Sequence, residues 1–158
     1  MGEGEVWAGF LSEDRANYGY YMDYSSGRPK AWQPDKLPEE LDARILRPFL
    51  EADDPTLQAG AAYLLALMGD RSGLPTLIGQ WRSQPDDYAT REMTVKAIAA
   101  VEDDEQVPIL REIYNALDGY EKEYRGKTLY WTMRRMGGPK ARELRKVIRD
   151  ELGTALVR

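Results

Sequence analysis

Residues 54–70 read DPTLQAGAAYLLALMGD. Asp54 is a good N-cap and Pro55 suits the first helical position, so a helix opens here. Leu57, Ala61, Leu64, Leu65 and Met68 recur at helical spacing and predict one buried stripe. Gly69 stops the helix, and Asp70 opens the next element. In the second helix Leu74, Leu77, Ile78 and Trp81 share a face. A hairpin this short cannot bury both of its faces alone, so the stretch is predicted to be one unit of a stack.

The chain repeats itself in the way a stack requires. Leu74-Pro75 and Val107-Pro108 both open helices, 33 residues apart. At that offset Asp54 matches Asp87, Leu65 matches Ile98, Met68 matches Val101, Asp70 matches Asp103 and Trp81 matches Tyr114. A third copy fits at an offset of 68, where Leu129, Met133 and Met136 take the places of Ala61, Leu65 and Met68. Its apolar opener, Tyr124, is one residue out of step with Leu57, and Gly137-Gly138-Pro139 forms its turn. Ala141, Leu144, Val147 and Ile148 begin a last helix that runs towards Leu152. Paired helices at this period, joined by aspartate-bearing loops, predict an α-solenoid.

These residues resemble the HEAT-like repeat family, particularly its short bacterial form first named from phycobilisome lyases. Asp54-Pro55, Leu57-Gln58, Ala61, Leu64-Leu65, Met68-Gly69-Asp70 and Leu74-Pro75 follow the family pattern. The second copy keeps it with Arg91, Ala97-Ile98, Asp103 and Val107-Pro108, and Tyr124-Arg125 resembles its Val-Arg pair in the third. The resemblance covers about residues 41–150. It implies an all-α fold, a short right-handed solenoid of about three repeats. It also implies that Arg91 and Arg125 pair with acidic turns such as Asp54, Asp87 or Asp103. Gln58 replaces the first repeat arginine, Thr90 and Thr94 soften the second core stripe, and Gly126 falls inside a third-copy helix.

Residues 1–36 read differently. Trp7, Phe10, Tyr18, Tyr20, Tyr21, Tyr24 and Trp32 occur with little helical periodicity, and Ser25 to Pro29 is loop chemistry. This stretch is predicted to be an irregular aromatic cap, protected from hydrogen exchange, ahead of a helical repeat domain over 37–158. Pro38 is predicted to open a helix with Glu39, Glu40 and Asp42 in its first turns, which Pro48 then bends or breaks.

Composition narrows the chemistry. The 158 residues include no Cys and no His, which removes thiolate chemistry, the commonest general base and the commonest metal ligand. Asp53-Asp54, Asp86-Asp87 and Glu102 to Glu105 lack the spacing of a calcium loop and read as helix caps. Gly2-Glu3-Gly4 and Gly137-Gly138 are not phosphate loops. No catalytic, cofactor-binding or metal-binding residue is therefore assigned, and no cofactor is expected. No apolar run reaches a membrane span, and the start, MGEGE, is not a signal peptide, so the default compartment is cytoplasmic.

Net charge is −5, unevenly spread. Residues 125–158 hold 10 Lys/Arg against 3 Asp/Glu, a balance of +7, and residues 1–124 hold 12 against 24, a balance of −12. The function that follows is a non-catalytic protein-binding scaffold whose partner, a protein or peptide, docks on the concave face. Its expected contact residues are Tyr63, Leu67, Met93, Lys96, Trp131, Arg134 and Arg135, with Tyr63, Lys96 and Trp131 forming a row from repeat to repeat. The alternatives are an accessory enzyme like the chromophore lyases, and a weak, salt-dependent nucleic-acid contact through the basic C-terminal helices.

Overall fold

In a computed structural model the described residues are Met22–Asp23, Arg28–Pro29 and 42–157. The predicted aromatic cap lies outside them, apart from one short antiparallel pairing of β1 (Met22–Asp23) with β2 (Arg28–Pro29). The rest is helical, and the class is all-α. The chain divides into two compact units, Met1–Ala97 and Ile98–Arg158.

In the first unit, α1 (Ala43–Leu46) is a single turn. Residues 38–41 of the helix expected from Pro38 lie outside the described residues, and only the expectation that Asp42 is helical is corrected here. Asp42 is extended and acts as the N-cap, accepting a 2.6 Å hydrogen bond from the Arg44 amide. The Arg44 guanidinium beside it holds its carboxyl below the usual range. Pro48 does interrupt the helix, and the chain tightens into a 3-10 turn over Arg47–Glu51. Leu46 is fully buried beneath it.

α2 (Pro55–Leu67) opens as predicted, with Asp54 accepting from the Thr56 amide at 2.8 Å. It closes in a Schellman motif, with the Gly69 amide donating to Ala66 and the Asp70 amide to Leu65, both at 2.9 Å. Gly69 has φ +85°, a conformation glycine tolerates without strain. The motif places Met68 outside the helix and exposed, so the predicted stripe loses its last member. The stripe is otherwise too narrow a description, because every residue from Ala59 to Ala66 is buried. Gly73 lets α3 (Leu74–Ser83) approach, since a Cβ there would lie 2.5 Å from the Ala62 Cα. Leu74, Leu77, Ile78 and Trp81 face inward as expected.

α4 (Tyr88–Val101) begins after Asp87, which accepts from the Thr90 amide and hydroxyl. Its buried Thr94 is satisfied rather than disruptive, donating at 2.8 Å to the Thr90 carbonyl one turn back. The α4 terminus repeats the first Schellman geometry 33 residues on, with the Asp103 amide donating to Ile98. Glu102 takes the glycine place there with φ +52°, a strained choice for a side chain.

The second unit contains a 3-10 turn (Asp104–Gln106), then α5 (Val107–Ala116), α6 (Gly119–Thr132), α7 (Pro139–Leu152) and a closing 3-10 turn (Gly153–Val157). Leu110, Met133, Leu144 and Ile148 are fully buried, and Leu129 and Met136 nearly so. Gly126 has a packing reason, because a Cβ there would meet the Tyr114 ring at 2.9 Å. Tyr124 is corrected from core opener to surface residue, at 54% exposure, because α6 turns Gly126 and Leu129 inward instead.

Candidate partner-binding face

The third copy lacks a turn aspartate, and the structure shows what replaces it. Asp104 accepts hydrogen bonds from the amides of Lys140 at 3.1 Å and Ala141 at 2.9 Å, capping α7 from 36 residues away. Gly138 is the residue that admits this carboxylate, since a Cβ there would stand 2.2 Å from the Asp104 Cγ. Lys140 Nζ adds an ion pair to Glu105 at 3.1 Å. At the other end of the turn, Arg145 Nη1 donates to the carbonyls of Met133 and Met136, each at 2.7 Å. These bonds fix the end of α6 against α7 and offset the partial negative charge of its last carbonyls.

α6 presents two different sides. Gly126, Leu129 and, just beyond its end, Met133 turn inward. At about 100° per residue, Tyr120, Tyr124 and Trp131 fall within about 40° of one another on the opposite side. They are 84%, 54% and 46% exposed. The Tyr120 and Tyr124 rings lie parallel with centroids 6.4 Å apart. Trp131 meets Tyr130 edge-on at 5.1 Å, and the Arg125 guanidinium sits 4.9 Å from the Tyr124 centroid. Arg134 and Arg135 follow Trp131 and are exposed.

α7 divides its charges between two flanks. Arg142, Lys146 and Arg149 recur at i, i+4 and i+7 and are all exposed. Arg145 belongs to the same flank, and its bonds to Met133 and Met136 show that this flank faces the end of α6. The acidic residues face elsewhere. Glu143 meets Arg111 at 4.0 Å, and Glu151 meets Lys122 at 3.5 Å. Glu151 also accepts from the buried Tyr114 hydroxyl at 2.5 Å. Burial, and then Glu151, push the Tyr114 phenol up, while that hydrogen bond lowers the Glu151 carboxyl. A cleft of about 370 Å³ opens beside this cluster, lined by Gly119, Lys122, Glu151 and Leu152 among others. Its ion pair is already closed, which suits packing better than proton transfer.

The expected contact residues separate by exposure into three groups. Tyr63 and Met93 are each only 2% exposed, and neither offers a surface to a partner. This corrects their predicted role in an open row. The reason is that α2 and α4 are buried on all sides through their middle turns, so the side opposite the core stripe is interior too. Leu67 and Lys96 are half-buried. Burial drives the Lys96 ammonium down, with Glu92 opposing the shift, and burial drives the Tyr63 phenol up, with Glu92 adding to it. Trp131, Arg134 and Arg135 lie together on the second unit's surface. Tyr120 and Tyr124 were missed. The signal was present, because the residues one turn beyond Tyr124 are Lys127 and Thr128, not apolar core.

Among the described residues no group of three or more His, Cys, Asp or Glu is placed to hold a metal ion. No helix among them is long and apolar enough to cross a membrane. A family model described as HEAT repeats matches residues 43–125, without distinction of subtype. Comparison with curated proteins and with solved structures gives no match.

Proposed function

The chain belongs to the HEAT repeat family, and from that premise we propose that it is a non-catalytic protein-binding module whose contact surface includes the outer face of α6. HEAT repeats generally serve as protein-interaction scaffolds. One observation carries the choice of face. Tyr120, Tyr124 and Trp131 are exposed large hydrophobic residues gathered on a single side of one helix. Scattered apolar residues on a surface need no explanation, but three large exposed aromatics on one side of one helix, followed by Arg134 and Arg135, have the make-up of an interface anchor. The partner reaches this face instead of the row through Tyr63 and Met93, which the interior already occupies.

The test is Trp131→Glu in the full chain, read by partner capture and by melting together. Capture is expected to be lost while the melting temperature holds. Intact capture removes α6 as the contact face. A large drop in melting temperature means that Trp131 serves packing instead.

A further inference from the structure

We infer that the α6 face takes an acidic, amphipathic helical segment of another protein, laid along α6 with its apolar end over Tyr120 and Tyr124 and its carboxylates over Trp131, Arg134 and Arg135. The inference rests on the proposed protein-binding reading and adds the partner's chemistry and direction.

Three features of the second unit lead to it. The first is that charge on the face changes along the helix. Around Tyr120 and Tyr124 the neighbouring positions include Glu121 and Glu123, both exposed, and the Arg125 guanidinium lies over the Tyr124 ring. From Lys127 onward the same face and its continuation carry Trp131, Arg134 and Arg135, with no acid before Glu143. The second is that the cations at this end are uncommitted. Arg134, Arg135, Arg142, Lys146 and Arg149 form no ion pair among the described residues. The third is the role of Arg145. By binding the Met133 and Met136 carbonyls it places a cation at the C-terminal end of α6 and offsets part of the negative charge there that would oppose an incoming carboxylate.

The polarity selects the class of partner. A nucleic-acid strand carries phosphate along its whole length, so over the Tyr120 end it would run past Glu121 and Glu123. A peptide can confine its carboxylates to one end and its apolar side chains to the other. From Tyr120 to Thr132 the α6 face is about 18 Å long, with Arg134 and Arg135 just beyond it, which matches a partner helix of about four turns. Carboxylates at such a rim set orientation and association rate, and the aromatic trio supplies most of the contact area.

The experiment uses three labelled probes on the full chain. One is a sixteen-residue helical peptide with a Leu/Phe stripe and Glu over its last two turns. The second carries Lys in place of those Glu residues, and the third is a fifteen-nucleotide oligothymidylate. The Glu peptide is expected to bind tightest and to weaken as salt rises. Arg134→Glu with Arg135→Glu should weaken it about tenfold or more and improve the Lys peptide. That exchange of preference cannot come from misfolding, because an unfolded variant loses both peptides. Equal binding of the two peptides, or tighter binding of the oligonucleotide, overturns the inference. The two readings fail separately. If a captured partner depends on Trp131 but is indifferent to salt and to the double reversal, the binding face stands and the acidic partner falls. If capture ignores Trp131, both fall.

Discussion

α2 and α6 hold the same place in the repeat, yet they are used in opposite ways. Tyr63 and Trp131 mark the contrast, 68 residues apart and equivalent in the repeat pattern. Tyr63 is 2% exposed within a helix whose middle is buried on every side. Trp131 is 46% exposed on a helix that buries one side only. The core positions of the two helices do not differ in this way, since Leu65 and Met133 are both fully buried. The repeat therefore sets which side of each helix enters its own hairpin. Whether the far side is covered depends on what the rest of each unit brings to it.

The contrast breaks most easily at its extreme positions. Tyr63→Ala should cost about 3–5 kcal/mol, as for other large aromatic truncations in a core. Trp131→Ala should stay within about 0.5 kcal/mol, as for a surface site. Urea melts of the pair measure both, and similar losses would erase the distinction between the two helices.

Leu65→Ala and Met133→Ala should behave alike, each losing about 2–5 kcal/mol. Here the comparison is sharpened from the other side, because the shared repeat position predicts agreement. A loss below about 0.5 kcal/mol at either site would show that the repeat register is misassigned.

A smaller effect belongs to the borrowed cap of α7. Gly138→Ala should cost about 1–2 kcal/mol by displacing the Asp104 carboxylate from the helix end. Gly138 has φ −70°, which alanine adopts without strain, so the cost is contact alone. In an Asp104→Gly background the same substitution should be nearly neutral. Additive losses in the double-mutant cycle would separate Gly138 from the cap.

The smallest effect is the pH dependence of the first unit's turn. Hydrogen bonds from Ser72, and then the Arg47 guanidinium, hold the Asp70 carboxyl at about 2. Arg47 Nη2 lies 2.6 Å from Asp70 Oδ2. A depressed carboxyl stabilises the fold above its unfolded value, near 3.9, and loses that contribution as pH falls towards 2. Asp70→Asn should therefore lose less than about 1 kcal/mol at neutral pH, and the difference from wild type should close between about pH 4 and 2. Denaturant melts across that range give the curve, and a constant difference would mean that the charge contributes nothing.

The arginine pairing implied by the family resemblance takes a different form at this turn. Arg47, which the repeat comparison did not single out, reaches the loop aspartate Asp70. Arg91 and Arg125 lie over tyrosine rings, those of Tyr88 at 5.5 Å and Tyr124 at 4.9 Å.

The features legible from residue order are those that close within one turn of chain. Asp54 with Pro55 starts α2, Gly69 with Asp70 ends it, and the 33-residue offset carries the same ending to Ile98–Asp103. Such features depend on neighbours a few residues away, so local residue choice suffices. The inward stripes of α3 and α7 were legible for a related reason, as periodicity records which side of a helix avoids water. The tertiary structure decided the rest. Asp104 caps a helix far along the chain, Gly126 makes room for the Tyr114 ring, and Tyr63 is covered where Trp131 is not. A buried aromatic and an exposed anchor share the same residue chemistry and the same helical spacing. They differ only in what packs opposite them, which periodicity along a single helix does not encode.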